Sequence, residues 1–241
     1  MLAYADVPVP GFAIVRDVNA IPETHELAYP QIVTQAFDDT YEYEGHTQPV
    51  KSREELETRI AELATEYDMP LLIEEFIDGR QLQAIVVGNR VLDVQPLTER
   101  VFDDETKTES MAVAQLDLDT VGRIRQLARR AFRAMACRDI AQVDFCLDEE
   151  GNLFVIDVRP SLDTGPGSAF RVAAEATEHG FDGLIVEMAK TTLARVGTAI
   201  PAVPTAAPSA PSSSQEPLAD SATGAGMAEE AGAPRPPSED V

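Results

Sequence analysis

Lysine is scarce in this chain: Lys51, Lys107 and Lys190 are three of nineteen basic residues, and the rest are arginine. Against them stand 42 acidic residues, for a net charge of −23. That balance argues against nucleic acid as a partner, because phosphate contacts need basic surface. An acidic, lysine-poor surface suits work in high salt, where repulsion is screened. GC-rich codon usage combined with an acidic tail produces the same composition. Cysteine and histidine are also few. Cys137 and Cys146, with His25, His46 and His179 scattered along the chain, form no zinc spacing and suit a reducing compartment. No apolar run approaches the length of a membrane span. The N-terminus, MLAYADVPVPGF, lacks a basic region followed by an apolar stretch, so neither a signal peptide nor a membrane partner is expected. A cytoplasmic location follows by default.

What is present divides at about residue 199. Beyond it the composition turns to Pro, Ala, Ser, Gly and Glu, which cannot bury enough apolar surface to order itself. Residues 199–241 are therefore expected to be a disordered acidic tail. Residues 1–198 form the globular part. Strands are expected over 12–16, 29–35, 71–77, 81–87 and 90–94, the last three as a meander. Residues 98–110 are polar and read as a loop. The SREE of residues 52–55 is a capping box that opens a helix with Leu56, Ile60, Leu63, Ala64 and Tyr67 on one stripe. Thr120 is expected to cap a second helix that buries Val121, Ile124, Leu127, Ala128, Ala131, Phe132 and Met135. Two further helices are expected over 168–178 and 181–194. This mixed order lacks strict β–α alternation, so the fold class is α+β with antiparallel sheets.

The most informative stretch is AQVDFCLDEEGNLFVIDVRPSLDTGPGS, residues 141–168. Two apolar runs, 141–147 and 153–159, flank a turn-rich segment, which is a hairpin signal. A two-residue turn at Glu150-Gly151 sets Asp144 opposite Asp157 and Gln142 opposite Arg159, all on one face. Val143, Phe145, Phe154, Ile156 and Val158 then point to a core. Facing carboxylates lie only ~5 Å apart at Cβ and must be compensated. A divalent metal, a shared proton or a nearby arginine would each do so.

Taken together, YPQIV (29–33), LLIEEFIDGR (71–80), QVDF (142–145) and VIDVRP (155–160) resemble, in that order, the ATP-grasp domain of the D-alanine–D-alanine ligase family. The resemblance covers roughly residues 5–195 and implies two α+β subdomains around a nucleotide cleft, about 5–69 and 70–198. It implies ATP with Mg²⁺ or Mn²⁺, and an amino-acid-like carboxylate as substrate. The implied reaction forms an acyl phosphate that an amine then displaces. By the same resemblance Asp144 and Asp157 stand at metal-binding positions. Glu74, Glu75, Phe76 and Ile77 stand on the linker that meets the adenine, and Gln81 stands at a ribose-binding glutamate. Lys107 resembles the lysine of the loop that closes over the phosphates, and Ser168 the serine that receives the substrate carboxylate.

The sequence also departs from the pattern. Thr34 replaces a phosphate-contacting lysine, and the acidic AFDDTYEYEG replaces a Gly/Ser-rich flap. Gln142 replaces an oxyanion-binding arginine, and Arg159 replaces a metal-binding asparagine. The family's N-terminal substrate domain does not precede these motifs, which leaves a truncated enzyme, a partner supplying the domain, or a homodimer. Two functions therefore stand: an ATP-dependent carboxylate–amine ligase, and a non-catalytic domain of the same fold that senses nucleotide or binds a protein. For Asp144 and Asp157 an ion pair with Arg159 fits as well as a metal. For Ser168 helix capping fits at least as well as substrate binding.

Overall fold

Two antiparallel sheets carry the chain. The computed structural model describes residues 1–22, 26–35, 48–67, 69–103 and 108–197, so Lys107 and the expected tail lie outside the described residues. The smaller sheet has the order β1-β3-β2, from β1 (Phe12–Val15), β2 (Gln31–Gln35) and β3 (Leu71–Glu75). Helix α1 (Arg53–Glu66) buries Leu56, Ile60 and Leu63 against Val15, Val33, Leu71 and Ile73. Its cap follows from the SREE sequence. The Ser52 hydroxyl accepts from the Glu55 N–H at 3.2 Å, and the Glu55 carboxylate accepts from the Lys51 N–H at 2.7 Å. That return contact falls one residue before the cap rather than on it.

The larger sheet has six strands. The order β7-β6-β4-β8-β9 comes from β4 (Arg80–Gly88), β6 (Thr98–Asp103), β7 (Thr108–Val113), β8 (Ile140–Leu147) and β9 (Leu153–Arg159), and β5 (Leu92–Val94) also pairs with β4. One face packs on α2 (Leu118–Ala134), where Leu82, Ala84, Val143 and Phe145 meet Ile124, Ala128 and Phe132. The other face is covered in part by α3 (Ala169–Glu175) and α4 (Gly180–Val196). Among the described residues, no helix is long and apolar enough to cross a membrane.

Four expectations need correction. The stretch from residue 71 to 94 is not one meander, because β3 belongs to the smaller sheet and β4 to the larger. The chain crosses between sheets at residues 76–79, and the crossing requires Gly79, since a Cβ there would meet the Leu147 carbonyl oxygen at 2.3 Å. Residues 98–110, read as a loop for their polarity, contain the paired strands β6 and β7. Charged pairs decorate this polar ribbon, Arg100 of β6 on Glu109 of β7 at 2.6 Å, and Arg80 of β4 on Glu99 of β6 at 2.7 Å. Helix α2 is capped by Asp117, whose carboxylate accepts from the Thr120 N–H at 2.9 Å, and Met135 at its end is exposed.

The fourth correction concerns the hairpin. Its loop has three residues, 149–151, closed by a bond from the Asp148 N–H to the Asn152 carbonyl and by Gly151 at φ 82°. The pairs near the loop are therefore Leu147↔Leu153, Cys146↔Phe154 and Phe145↔Val155, one residue off the expected register. An irregularity follows, and beyond it the pairs are Asp144↔Asp157 and Gln142↔Arg159, as expected. Ile156 is the extra residue of this bulge. The bulge cancels the longer loop and returns both aspartates to facing positions. Leu153 and Val155 enter the core in place of Phe154 and Ile156.

Candidate functional site

Strands β4 and β8 are paired from Arg80↔Leu147 to Val87↔Ile140. Alternation sends Gln81, Gln83, Ile85 and Val87 to the face away from α2, beside Cys146, Asp144, Gln142 and Ile140. At one end of this face Ile85, Val87 and Ile140 pack against Phe170, Ala173, Ala174 and Leu184. At the other end the residues turn polar, and the face opens into a cleft of about 430 Å³. The opposite wall comes from the smaller sheet through Ile32, Glu74 and Glu75, and the crossing adds Phe76 and Ile77. The cleft thus lies where one chain segment passes between the two sheets.

The structure brings most of the expected residues together. Glu74, Glu75, Phe76, Ile77, Gln81, Asp144 and Arg159 all line the cleft. Asp157 adjoins it through its pairing with Asp144 and Arg159. Ser168 does not line it: its hydroxyl accepts from the Arg171 N–H at 3.2 Å and caps α3. The Glu75 carboxylate is engaged by backbone, accepting from the Gly11 N–H at 3.0 Å and the Ala28 N–H at 2.6 Å. Glu74 is the freer acid of the two. Burial, and then the nearby Asp157 charge, push its carboxyl up to about 7. The Cys146 thiol donates to the Ile77 carbonyl at 3.4 Å and is pushed up to about 11 by burial and by Asp78 and Asp148, so it stays a thiol.

The centre of the site is an Asp–Arg–Asp group. Asp144 Oδ1 accepts from Gln142 Nε2 at 2.7 Å, and its Oδ2 accepts from Arg159 Nη2. Asp157 Oδ1 accepts from the Val158 N–H at 2.7 Å, and its Oδ2 lies 3.3 Å from Arg159 Nε. Burial raises both carboxyls against the pull of Arg159, and Asp157 adds to the rise at Asp144. Every carboxylate oxygen of the pair therefore faces a donor. Mg²⁺ takes one or two carboxylates, with water and phosphate completing its shell, and here the Arg159 guanidinium lies between the two carboxylates that would supply them. Among the described residues no three His, Cys, Asp or Glu side chains gather to hold a metal. This arrangement does not fit a divalent ion. A nucleoside fits better, since Ile32, Phe76, Ile77 and Ile156 offer apolar surface for a ring beside the polar Glu74, Gln81 and Gln83.

Sequence reasoning missed Gln83, Arg100, Ile156 and Asp163, all of which line the cleft. Arg100 sits on β6, where Thr98 pairs with Gln83, so alternation along TERVFD would have aimed it here had the segment been read as a strand. The buried Gln83 accepts from the Thr98 hydroxyl at 3.3 Å. Thr34, at the position of the missing lysine, is buried within β2 opposite Leu72.

Residues 2–190 match the family described as D-ala D-ala ligase C-terminus. The D-alanine–D-alanine ligase of Pelotomaculum thermopropionicum is 26% identical over 82% of this chain and 67% of its own. That of Alcanivorax borkumensis is 31% identical over 79% and 62%, respectively. An uncharacterised protein of Sinorhizobium fredii is 26% identical over 77% and 58%. The chain thus spans only about three-fifths of the length of these relatives. Among solved structures, the D-alanine–D-alanine ligase of Coxiella burnetii superposes with a TM-score of 0.68 at 20% identity, covering 80% of this chain and 54% of that one. The Bacillus anthracis enzyme complexed with ATP gives 0.68 at 19% identity, covering 81% and 63%. The α+β architecture is that of the ATP-grasp fold.

Proposed function

The chain belongs to the D-alanine–D-alanine ligase C-terminal family, and on that premise we propose that its cleft binds an adenine nucleotide, ATP foremost, as the nucleotide-holding part of a carboxylate–amine ligase. One observation carries this reading: the crossing at residues 76–79 and its neighbour Glu74 wall a cleft of about 430 Å³ between the two sheets. Phe76, Ile77 and Ile156 take the base by apolar contact. Glu74 and Gln81 meet its polar edge and the sugar hydroxyls, and Arg100 and Arg159 are the cations nearest the phosphates. When bound, ATP supplies the phosphoryl group that activates a carboxylate toward an amine. The acid is amino-acid-like. In this proposal the resemblance assigns Lys107 to the phosphates and Ser168 to the substrate carboxylate. The work takes place in the cytoplasm.

A second reading, a nucleotide sensor without turnover, is favoured by one specific contact. Gln142 stands where the family resemblance implies an oxyanion-binding arginine, and its amide already donates to Asp144. Calorimetric titration with ATP, followed by a phosphate-release assay with amino acids, separates the readings. Binding with release supports the ligase, and binding without release supports the sensor. No heat at millimolar ATP removes both.

A further inference from the structure

Asp144 and Asp157 face each other across paired strands and carry two negative charges between them. Their four oxygens are met by three neighbours: the Gln142 amide, the Val158 N–H and the guanidinium of Arg159. Among the described residues Arg159 alone reaches both acids, through Nη2 to Asp144 and through Nε, 3.3 Å from Asp157. It comes from the same strand face as Asp157, which alternation along β9 dictates. A divalent ion held by these two acids would need to sit ~2–2.6 Å from their oxygens, which is where the guanidinium lies. Ion and guanidinium would repel each other there, so the two exclude one another.

We propose that Arg159 stands in for a divalent cation between Asp144 and Asp157, so that the cleft holds its nucleotide without metal. The second half of this rests on the nucleotide reading above; the first half does not. A guanidinium is fixed, planar and permanently charged, which suits it to bridging two carboxylates. Its contacts to the acids use Nη2 and Nε, and the Nη1 donors remain for a ligand oxygen, since Arg159 lines the cleft. The Nε atom is buried without a well-formed hydrogen bond, so Arg159 is hydrogen-bonded to Asp144 and held to Asp157 by charge.

The test uses the full chain and two probes, Mn²⁺ alone and ATP. Mn²⁺ binding is read by electron paramagnetic resonance on the native protein, Arg159→Asn and Arg159→Lys. The native protein and Arg159→Lys should hold no Mn²⁺ at roughly millimolar concentration. Arg159→Asn restores an oxygen ligand and should bind it at least about tenfold more tightly. In EDTA the Asn variant should melt about 5 °C below the native protein, and Mn²⁺ should recover most of that loss. A native protein that binds Mn²⁺ as tightly as the Asn variant overturns the proposal. If the Asn variant does not fold, micromolar Mn²⁺ binding by the native protein still overturns it, and its absence in both the native protein and Arg159→Lys supports it. For ATP, native affinity in EDTA within about threefold of that in Mg²⁺ supports the metal-free cleft. ATP binding that requires Mg²⁺ overturns it. ATP that binds in neither buffer removes the nucleotide reading, and the Mn²⁺ titration alone then decides the role of Arg159.

Discussion

Two aspartate–arginine groups lie along β8, one just before the strand starts, tied to α4, and one mid-strand at the cleft, and they behave in opposite ways. Before the strand Asp139 takes Arg195 of α4 at 2.6 Å and Asn89 at 2.8 Å. Those contacts, Arg195 first, hold its carboxyl down at about 2. At the cleft Asp144 has equivalent donors in Arg159 and Gln142, yet burial leaves its carboxyl above the usual range. The difference lies in depth and in a second acid. Asp144 sits mid-strand in the sheet and faces Asp157, so one guanidinium serves two carboxylates. Asp139 precedes β8 and has a cation to itself. A pair of the first kind ties a helix down, whereas a group of the second kind keeps excess negative charge in a cleft.

The largest effect concerns the face of β8 opposite Asp144. Phe145 is fully buried against α2, next in sequence to Asp144. Phe145→Ala should cost about 3–5 kcal/mol of stability in urea unfolding, because it opens a cavity in a closed core. A loss below about 1 kcal/mol would mean that the site, not this core, holds the sheet together.

Much of that core was legible in the sequence, and the reason is periodicity. The stripe of α2 and the alternation in β8 point Ile124, Ala128, Phe132, Val143 and Phe145 inward, and all are buried. The facing aspartates were legible too, although two errors cancelled. A longer loop shifted the register by one residue, and the bulge at Ile156 shifted it back. No local signal in NLFVIDV marks a bulge, since every residue there suits a strand. The polar ribbon of β6 and β7 was missed because its strands are mostly exposed and polar, with no apolar alternation to mark them. Arg100 was lost from the site with it.

A smaller effect comes from Glu74, the acid on the far wall of the cleft. Its carboxyl lies at about 7 in the folded protein against an ordinary 4.5, so folding favours the protonated form. This group's contribution to stability should be greatest below pH 4.5 and fall as pH rises toward 7, by roughly 3 kcal/mol in all. Urea midpoints measured across this range should decline for the native protein and stay flatter for Glu74→Gln. Parallel declines in both proteins would place the titration elsewhere.

The smallest effect belongs to Asp139, and its sign is reversed. A carboxyl held at about 2 stabilises the folded state above its ordinary value of 3.8, and that contribution is lost as pH falls through 2. Solvent screening at the rim reduces the effect to about 1 kcal/mol. Arg195→Gln should remove it, seen as an acid-unfolding midpoint shifted to higher pH. An unchanged midpoint would separate the α4 anchor from acid stability.

In the proposed function an adenine nucleotide occupies the cleft at the crossing between the two sheets. Amide chemical shifts of the isotope-labelled full chain, followed as ATP is added, test it most directly. The account predicts shifts concentrated at Glu74, Phe76, Ile77, Gln81 and Cys146, with α1 and the α2-facing core unmoved. Shifts confined to residues outside the cleft, or none at millimolar ATP, would contradict it.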